Sequence, residues 1–148
     1  MNIANLKNYT TSISAEKSIM EIEKLLLNFG AIDFGKRAEN GFFIGMFFSI
    51  EVQGKNVPFK LPINLDAIAS YLSKQKTKTS QENIYEQAYK VGWRIMKDWV
   101  FSQLSIIASG MVNIEDVFLP YMLIDKNLTL SEGIKEGRYK NLLTEYNP

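Results

Sequence analysis

The sequence predicts an α+β domain: an N-terminal helix, a three-stranded antiparallel β-meander, then a helical half dominated by one long helix. Three observations predict it. Apolar residues repeat at helical spacing up to Phe29, alternate from Ile32 to Ile63, and return to helical spacing after Asn64. Asn40-Gly41 sits between two alternating runs, where a tight hairpin turn needs residues that tolerate positive φ. Thr79-x-x-Glu82 reads as a capping box, and the apolar-rich stretch behind it runs without a proline to Gly110.

The elements follow in order. Ser14 is placed to cap the first helix, with Glu16 in the first turn where a carboxylate suits the helix dipole. Ile19, Ile22, Leu26 and Phe29 form its apolar stripe, Leu25 widens it, and Gly30 ends it. Ile32 and Phe34 alternate with Asp33 and Gly35 in a short first strand. In the second strand Phe42, Ile44, Met46, Phe48, Ile50 and Val52 make one apolar face, opposite Phe43, Gly45, Phe47, Ser49 and Glu51. Gln53-Gly54-Lys55-Asn56 turns the chain into a third strand built on Val57, Phe59, Leu61 and Ile63. Pro58 and Pro62 cannot donate to a ladder and put that strand at an edge. Asn64 caps a second helix bearing Leu65, Ile68 and Leu72, which gives way to a mobile polar loop over residues 73–79.

The long helix carries Ile84, Ala88, Val91, Ile95 and Ile106 as its core stripe. Trp93, Met96, Trp99, Val100, Leu104 and Ile107 extend the apolar arc past half the circumference. A helix packed on one side needs an arc of only about 100°. Two partners are therefore expected, the sheet on one side and another helix or subunit on the other, with a homo-oligomer formed through this helix. Gly92 could bend it. Asn113 caps a short helix that Pro120 breaks. Residues 1–13 and 125–148 are expected to be loosely ordered, apart from a weak helix opened by Thr129-x-x-Glu132 and weakened by Gly133 and Gly137. The 148 residues suit one domain.

Composition closes most chemistry. There is no His and no Cys, which removes the commonest general base near neutral pH, the thiolate nucleophile, disulfides and the usual zinc ligands. No phosphate-binding glycine motif occurs. The expectation is a protein that is not an enzyme, with no catalytic residues, no cofactor and no metal. The one enzymatic alternative is a nuclease using carboxylates and Mg²⁺, with Asp33, Glu51, Glu115 and Asp116 as candidates. With 17 Lys+Arg against 16 Asp+Glu, no global field draws in a polyanion. The apolar run Gly41–Ile50 is far short of the roughly 20 residues that span a bilayer, and the N-terminus has no signal-like run. A cytoplasmic protein with no membrane contact is expected.

Binding surfaces remain. On the long helix Lys90, Arg94 and Lys97 share a face beside Trp93; guanidinium and ammonium groups with an adjacent ring could hold a phosphate and a base. Against this stand the helix-stabilising pairs Glu86–Lys90 and Arg94–Asp98. Lys36 and Arg37, with Lys55 and Lys60 on nearby strands, offer a second basic rim beside Phe43 and Phe47. The same charges would also blunt edge-to-edge pairing. Lys74, Lys76 and Lys78 could attract a nucleic acid in a salt-sensitive way. Phe118, Leu119, Tyr121 and Met122 surround Pro120 and could anchor a partner protein, or lock the short helix onto the core.

The strings EKSIMEIEKLLLNFGA, PFKLP, AYKVGWRIMKDWV and VFLPYM occur together in this order. The set resembles a group of small proteins encoded by bacteriophages, prophages and mobile elements, and the resemblance spans most of residues 14–122. It implies a protein made in the bacterial host cytoplasm and transfers no functional residues. In that setting the expected function is non-catalytic binding: a counter-defence protein that sequesters a nucleotide-like host immune signal. The alternatives are a single-stranded nucleic-acid binder and a protein–protein inhibitor of a host defence factor.

Overall fold

The computed structural model of the chain describes residues 8, 10–75, 81–143 and 145, with backbone alone at 81 and 82. Helix α1 (Ala15–Phe29) begins where the Ser14 hydroxyl accepts from the Lys17 N–H. It stops at Gly30, whose φ of 111° is open to glycine at little cost and lets its N–H return to the last carbonyls. Strands β1 (Asp33–Glu39), β2 (Phe42–Val52) and β3 (Lys55–Lys60) form an antiparallel meander in the order β1-β2-β3. Both hairpin turns place two successive residues at positive φ: Asn40 and Gly41, then Gln53 and Gly54. That geometry matches the twist of the strands it joins.

β1 runs four residues past the alternating segment that announces it. Its second half is Lys36, Arg37, Ala38 and Glu39, held by the backbone ladder rather than by apolar side chains. The ladder slips near its end. Arg37 faces Gly45 but Ala38 faces Phe43, so Ile44 bulges out of register. Met46, Phe48 and Ile50 of β2 and Phe59 of β3 face the helices and are buried.

Helix α2 (Leu65–Lys74) starts at Asn64, whose side chain accepts from the Ala67 N–H. Helix α3 (Gln81–Ala108) runs as one assigned helix of 28 residues. It lies between α1 and α2 and over the sheet. Trp93, Met96, Val100 and Leu104 enter the main core with Ile19, Ile22 and Leu26 of α1. On the other flank Ala88 and Val91 pack with Leu72, Ile68 and Tyr71 of α2. The wide apolar arc of α3 is thus satisfied within one chain, and it no longer calls for a second subunit on this helix. Gly92 serves packing: a Cβ there would stand 2.8 Å from Leu65 Cδ2, so glycine admits the start of α2.

Helix α4 (Ile114–Phe118) begins where the Asp116 carboxylate accepts from the Asn113 N–H at 2.8 Å, and a short 3-10 turn (Leu119–Tyr121) follows it. Residues 125–148 are expected to be loose, but the described part from 125 to 143 carries regular elements. Strands β4 (Leu123–Asp125) and β5 (Leu128–Thr129) form a small hairpin leading into α5 (Leu130–Lys135). Thr129 and Glu132 cap each other's backbone as their spacing predicts. Gly133 is buried, and a Cβ there would lie 2.7 Å from Ile124 Cδ1. This glycine admits a neighbour as well as weakening a helix. The module flanks β3, where Met122 bridges Phe59 and Lys60 Nζ reaches the Asn127 carbonyl at 2.9 Å. Near the N-terminus, Asn8 Nδ2 donates to Asp98 at 2.8 Å and Gln87 Nε2 to the Thr11 carbonyl at 3.2 Å. No helix among the described residues is long and apolar enough to cross a membrane.

Candidate functional site

Three parts of the chain meet at the open end of the sheet. The β1–β2 hairpin contributes Glu39, Asn40, Phe42 and Ile44; the β3–α2 connection contributes Ile63, Asn64, Leu65 and Asp66; the start of α3 contributes Tyr85 and Glu86. Between them is a cavity of about 520 Å³. Its floor is apolar, from Phe42, Ile44, Ile63 and Leu65. The Phe42 ring is fixed by edge-on contacts with Tyr85 (centroids 4.9 Å apart) and Tyr89 (5.0 Å). The rim is acidic: Glu39, Asp66 and Glu86 line the cavity, and among the described residues no Lys or Arg does. Burial, then Asp66 and Glu39, hold the Tyr85 phenol above its ordinary pKa, so it stays a neutral hydroxyl. An apolar floor with an aromatic ring and three carboxylates at its border favours an organic cation and disfavours a phosphate.

The basic face expected on α3 is taken up internally. Trp93 is fully enclosed, and its indole N–H donates to the Phe43 carbonyl at 2.9 Å, so its ring is not offered to a base. Arg94 does not pair with Asp98. It reaches across to Glu21 of α1, with Nη1–Oε2 at 2.8 Å. Lys97 stands 3.9 Å from the same carboxylate and 3.8 Å from Asp98, and its ammonium lies over the Phe101 ring, 5.4 Å from the centroid. Lys90 is half-buried one turn before Arg94. Of the four residues expected to grip a ligand, Arg94 and Lys97 reach Glu21 of α1 and Trp93 bonds the backbone of β2.

At the sheet, Lys36 and Arg37 part company because successive strand residues face opposite sides. Lys36 turns to the helices, bonds Glu23 at 3.1 Å and lies over the Phe43 ring at 5.0 Å. Arg37 is exposed on the other face. Phe43 packs against the core, and Phe47 stays half-buried on the outer face beside Gly35 and Gly45. Lys60 is bound to Glu132 at 2.9 Å. Burial opposes the charge on Glu132, but the Thr129 backbone N–H and Lys60 outweigh it and hold the carboxyl below its ordinary pKa. Lys74 closes α2 and is exposed; Lys76 and Lys78, with the cap at Thr79, lie outside the described residues.

VFLPYM divides. Phe118 is fully buried and edge-on to Phe48, Phe59 and Trp99, so it is a core residue and not a free anchor. Tyr121 packs on Trp99 and Met122 against the core, leaving Leu119 exposed. The four carboxylates considered for metal chemistry separate as well. Asp33 accepts from Ser49 and Asn56 on the outer sheet face, and Asp116 caps α4, while Glu51 and Glu115 line one shallow depression. Among the described residues no three acidic groups converge as a metal-binding set.

The cavity was not read from the sequence. Phe42, Asn64 and Leu65 are identified there as structural residues and Glu86 as half of a helix pair, but Glu39, Asp66 and Tyr85 carry no signal, because they come from three separated elements. Comparison with known proteins finds no matching family model, no similar curated protein and no similar solved structure.

Proposed function

We propose that the protein acts by non-covalent binding, and that its ligand is a cationic side chain, arginine or lysine, presented by a partner protein to the acid-rimmed cavity. That Glu39, Asp66 and Glu86 line one cavity together with Phe42, with no Lys or Arg among its described lining residues, carries this reading. A guanidinium entering the cavity would meet carboxylates at the rim, an aromatic ring on the floor, and aliphatic walls for its stem. Sequestration of a nucleotide-like signal has less support, since its intended residues Trp93, Arg94 and Lys97 are occupied within the fold. On the phage resemblance of the sequence, the partner would be a host defence protein in the bacterial cytoplasm.

The test is an NMR titration of the full chain with N-acetyl-arginine methylamide, and in parallel with a mononucleotide. The expected result is that the arginine derivative moves resonances of Phe42, Tyr85 and Glu86, and that Asp66→Asn together with Glu39→Gln abolishes the effect. Perturbation by the nucleotide around Arg37 or Lys90, with the cavity silent to arginine, would return the function to the polyanion readings.

A further inference from the structure

β1 is an edge strand, and every one of its seven residues is exposed. Among the described residues nothing pairs with its outer side. The direction of its free groups follows from the ladder. The Leu61 N–H donates to the Met46 carbonyl, which turns Met46, and with it Phe48 and Ile50, towards β3. The alternate residues Gly45, Phe47 and Ser49 turn towards β1, and the Ile32 N–H donates to the Ser49 carbonyl accordingly. Their partners Arg37, Gly35 and Asp33 spend their backbone groups inward. The N–H and C=O groups of Phe34 and Lys36 therefore point out of the sheet.

The charges on this edge are self-complementary in one register. If two copies of β1 pair antiparallel about a dyad at Gly35, Phe34 of each meets Lys36 of the other as a hydrogen-bonded pair. Asp33 then faces Arg37 twice in the closer, non-hydrogen-bonded positions. A shift that centres the dyad on Lys36 puts Lys36 against Lys36 and Asp33 against Glu39. A dyad at Ala38 would pair Arg37 with Glu39 but needs Asn40, which is turned into the hairpin at φ 52°. Asp33 already uses Oδ2 for Ser49 and Asn56, and its second oxygen can take the guanidinium. Arg37 forms no ion pair among the described residues.

Apolar surface lies along the same border. Glu23 of α1 reaches Lys36, so the α1 stripe that holds Met20, Glu23 and Leu27 overhangs β1, while Glu21 faces α3. Met20 is 51% exposed, Leu27 60% and Ile32 56%, and Phe34 on β1 is exposed as well. A dyad perpendicular to the sheet sets both helix layers on one side and brings the two α1 stripes together.

We infer that the protein forms a two-fold dimer through β1, giving a continuous six-stranded sheet centred on Gly35 with Asp33–Arg37 pairs across the dyad and α1 against α1 above it. The charges that would blunt indiscriminate edge pairing here select one partner, a second copy of the chain. This inference is independent of the cavity, which lies at the hairpin end and keeps its lining within each chain.

The experiment is sedimentation velocity on the full chain and two charge variants, Asp33→Arg and Arg37→Glu, with circular dichroism to establish that each is folded. The wild-type chain is expected at twice its 16.9 kDa mass. Each variant alone sets like charges against each other and should weaken the dimer at least about tenfold. Mixed together, the two variants regain complementarity at both pairs and should form a heterodimer. Leu27→Lys, at an exposed position of α1 outside the strand ladder, should also dissociate the dimer. A wild-type chain that stays at monomer mass over a concentration series, variants that self-associate as strongly as wild type, or a mixture that fails to pair would each overturn the inference.

Discussion

The indole N–H of Trp93 donates to the backbone carbonyl of Phe43 at 2.9 Å, and the Phe43 N–H donates to the Tyr89 hydroxyl at 3.3 Å. β2 outruns β3 here, because the pairing between them stops at Phe47 opposite Lys60, with a last bond at Met46. Two aromatic side chains of α3 thus replace the missing strand and satisfy backbone groups that would otherwise be buried without partners.

Trp93→Phe should therefore cost about 1–3 kcal/mol, the desolvation of an orphaned carbonyl, before any packing loss. Tyr89→Phe, which leaves the N–H of a half-buried residue unpartnered, should cost about 1 kcal/mol. Urea denaturation with both variants checks the order. Equal, negligible losses would mean that water reaches Phe43 freely.

Arg94 and Glu21 join α1 to α3 with both side chains partly shielded from solvent, at 17% and 30% exposure. A double-mutant cycle with Arg94→Ala and Glu21→Ala should show a coupling of about 1 kcal/mol, at the upper end for an accessible ion pair. Added salt should reduce it only partly. A coupling indistinguishable from zero would free Arg94 for a role outside the fold.

Much of this architecture was legible because local signals and tertiary structure agree. Ser14, Gly30, Asn40-Gly41, Asn64, Asn113 and Thr129 each terminate or turn an element for a stereochemical reason that needs no neighbour. What stayed hidden depends on contacts between distant residues. Gly92 and Gly133 look like helix weaknesses until Leu65 and Ile124 are seen against them. Arg94 has an acceptable partner four residues on, and only the placement of α1 makes Glu21 the better one. The cavity rim is the same case: no spacing links Glu39, Asp66 and Glu86.

Phe118 and Leu119 are adjacent but should behave oppositely. Phe118 is enclosed by three rings, and Phe118→Ala should cost about 3–5 kcal/mol through lost burial and a residual void. Leu119, at 45% exposure, should tolerate alanine within about 0.5 kcal/mol. Chemical denaturation of both variants separates the core half of VFLPYM from the surface half. A small effect at Phe118 would mean that the core collapses around the void.

The tyrosines at the cavity end should set the alkaline limit of stability. Burial first, then Asp66 and Glu39, raise the phenol pKa of Tyr85; at Tyr89 burial and Glu16 outweigh the opposing bond from the Phe43 N–H. Both groups hold their protons more tightly folded than unfolded. Their contribution is intact below the unfolded value of 10.0 and is lost as pH rises from there through the higher folded values. Glu132 has the opposite sign: with its pKa lowered from 4.5, its contribution is present above that value and fades as pH falls through the folded one. Thermal melts followed by circular dichroism should show a midpoint that declines above pH 10, more shallowly in Tyr85→Phe and Tyr89→Phe. Glu132→Gln should leave that decline unchanged and flatten only the acid side. An alkaline slope identical in wild type and both phenylalanine variants would place the titrating groups elsewhere.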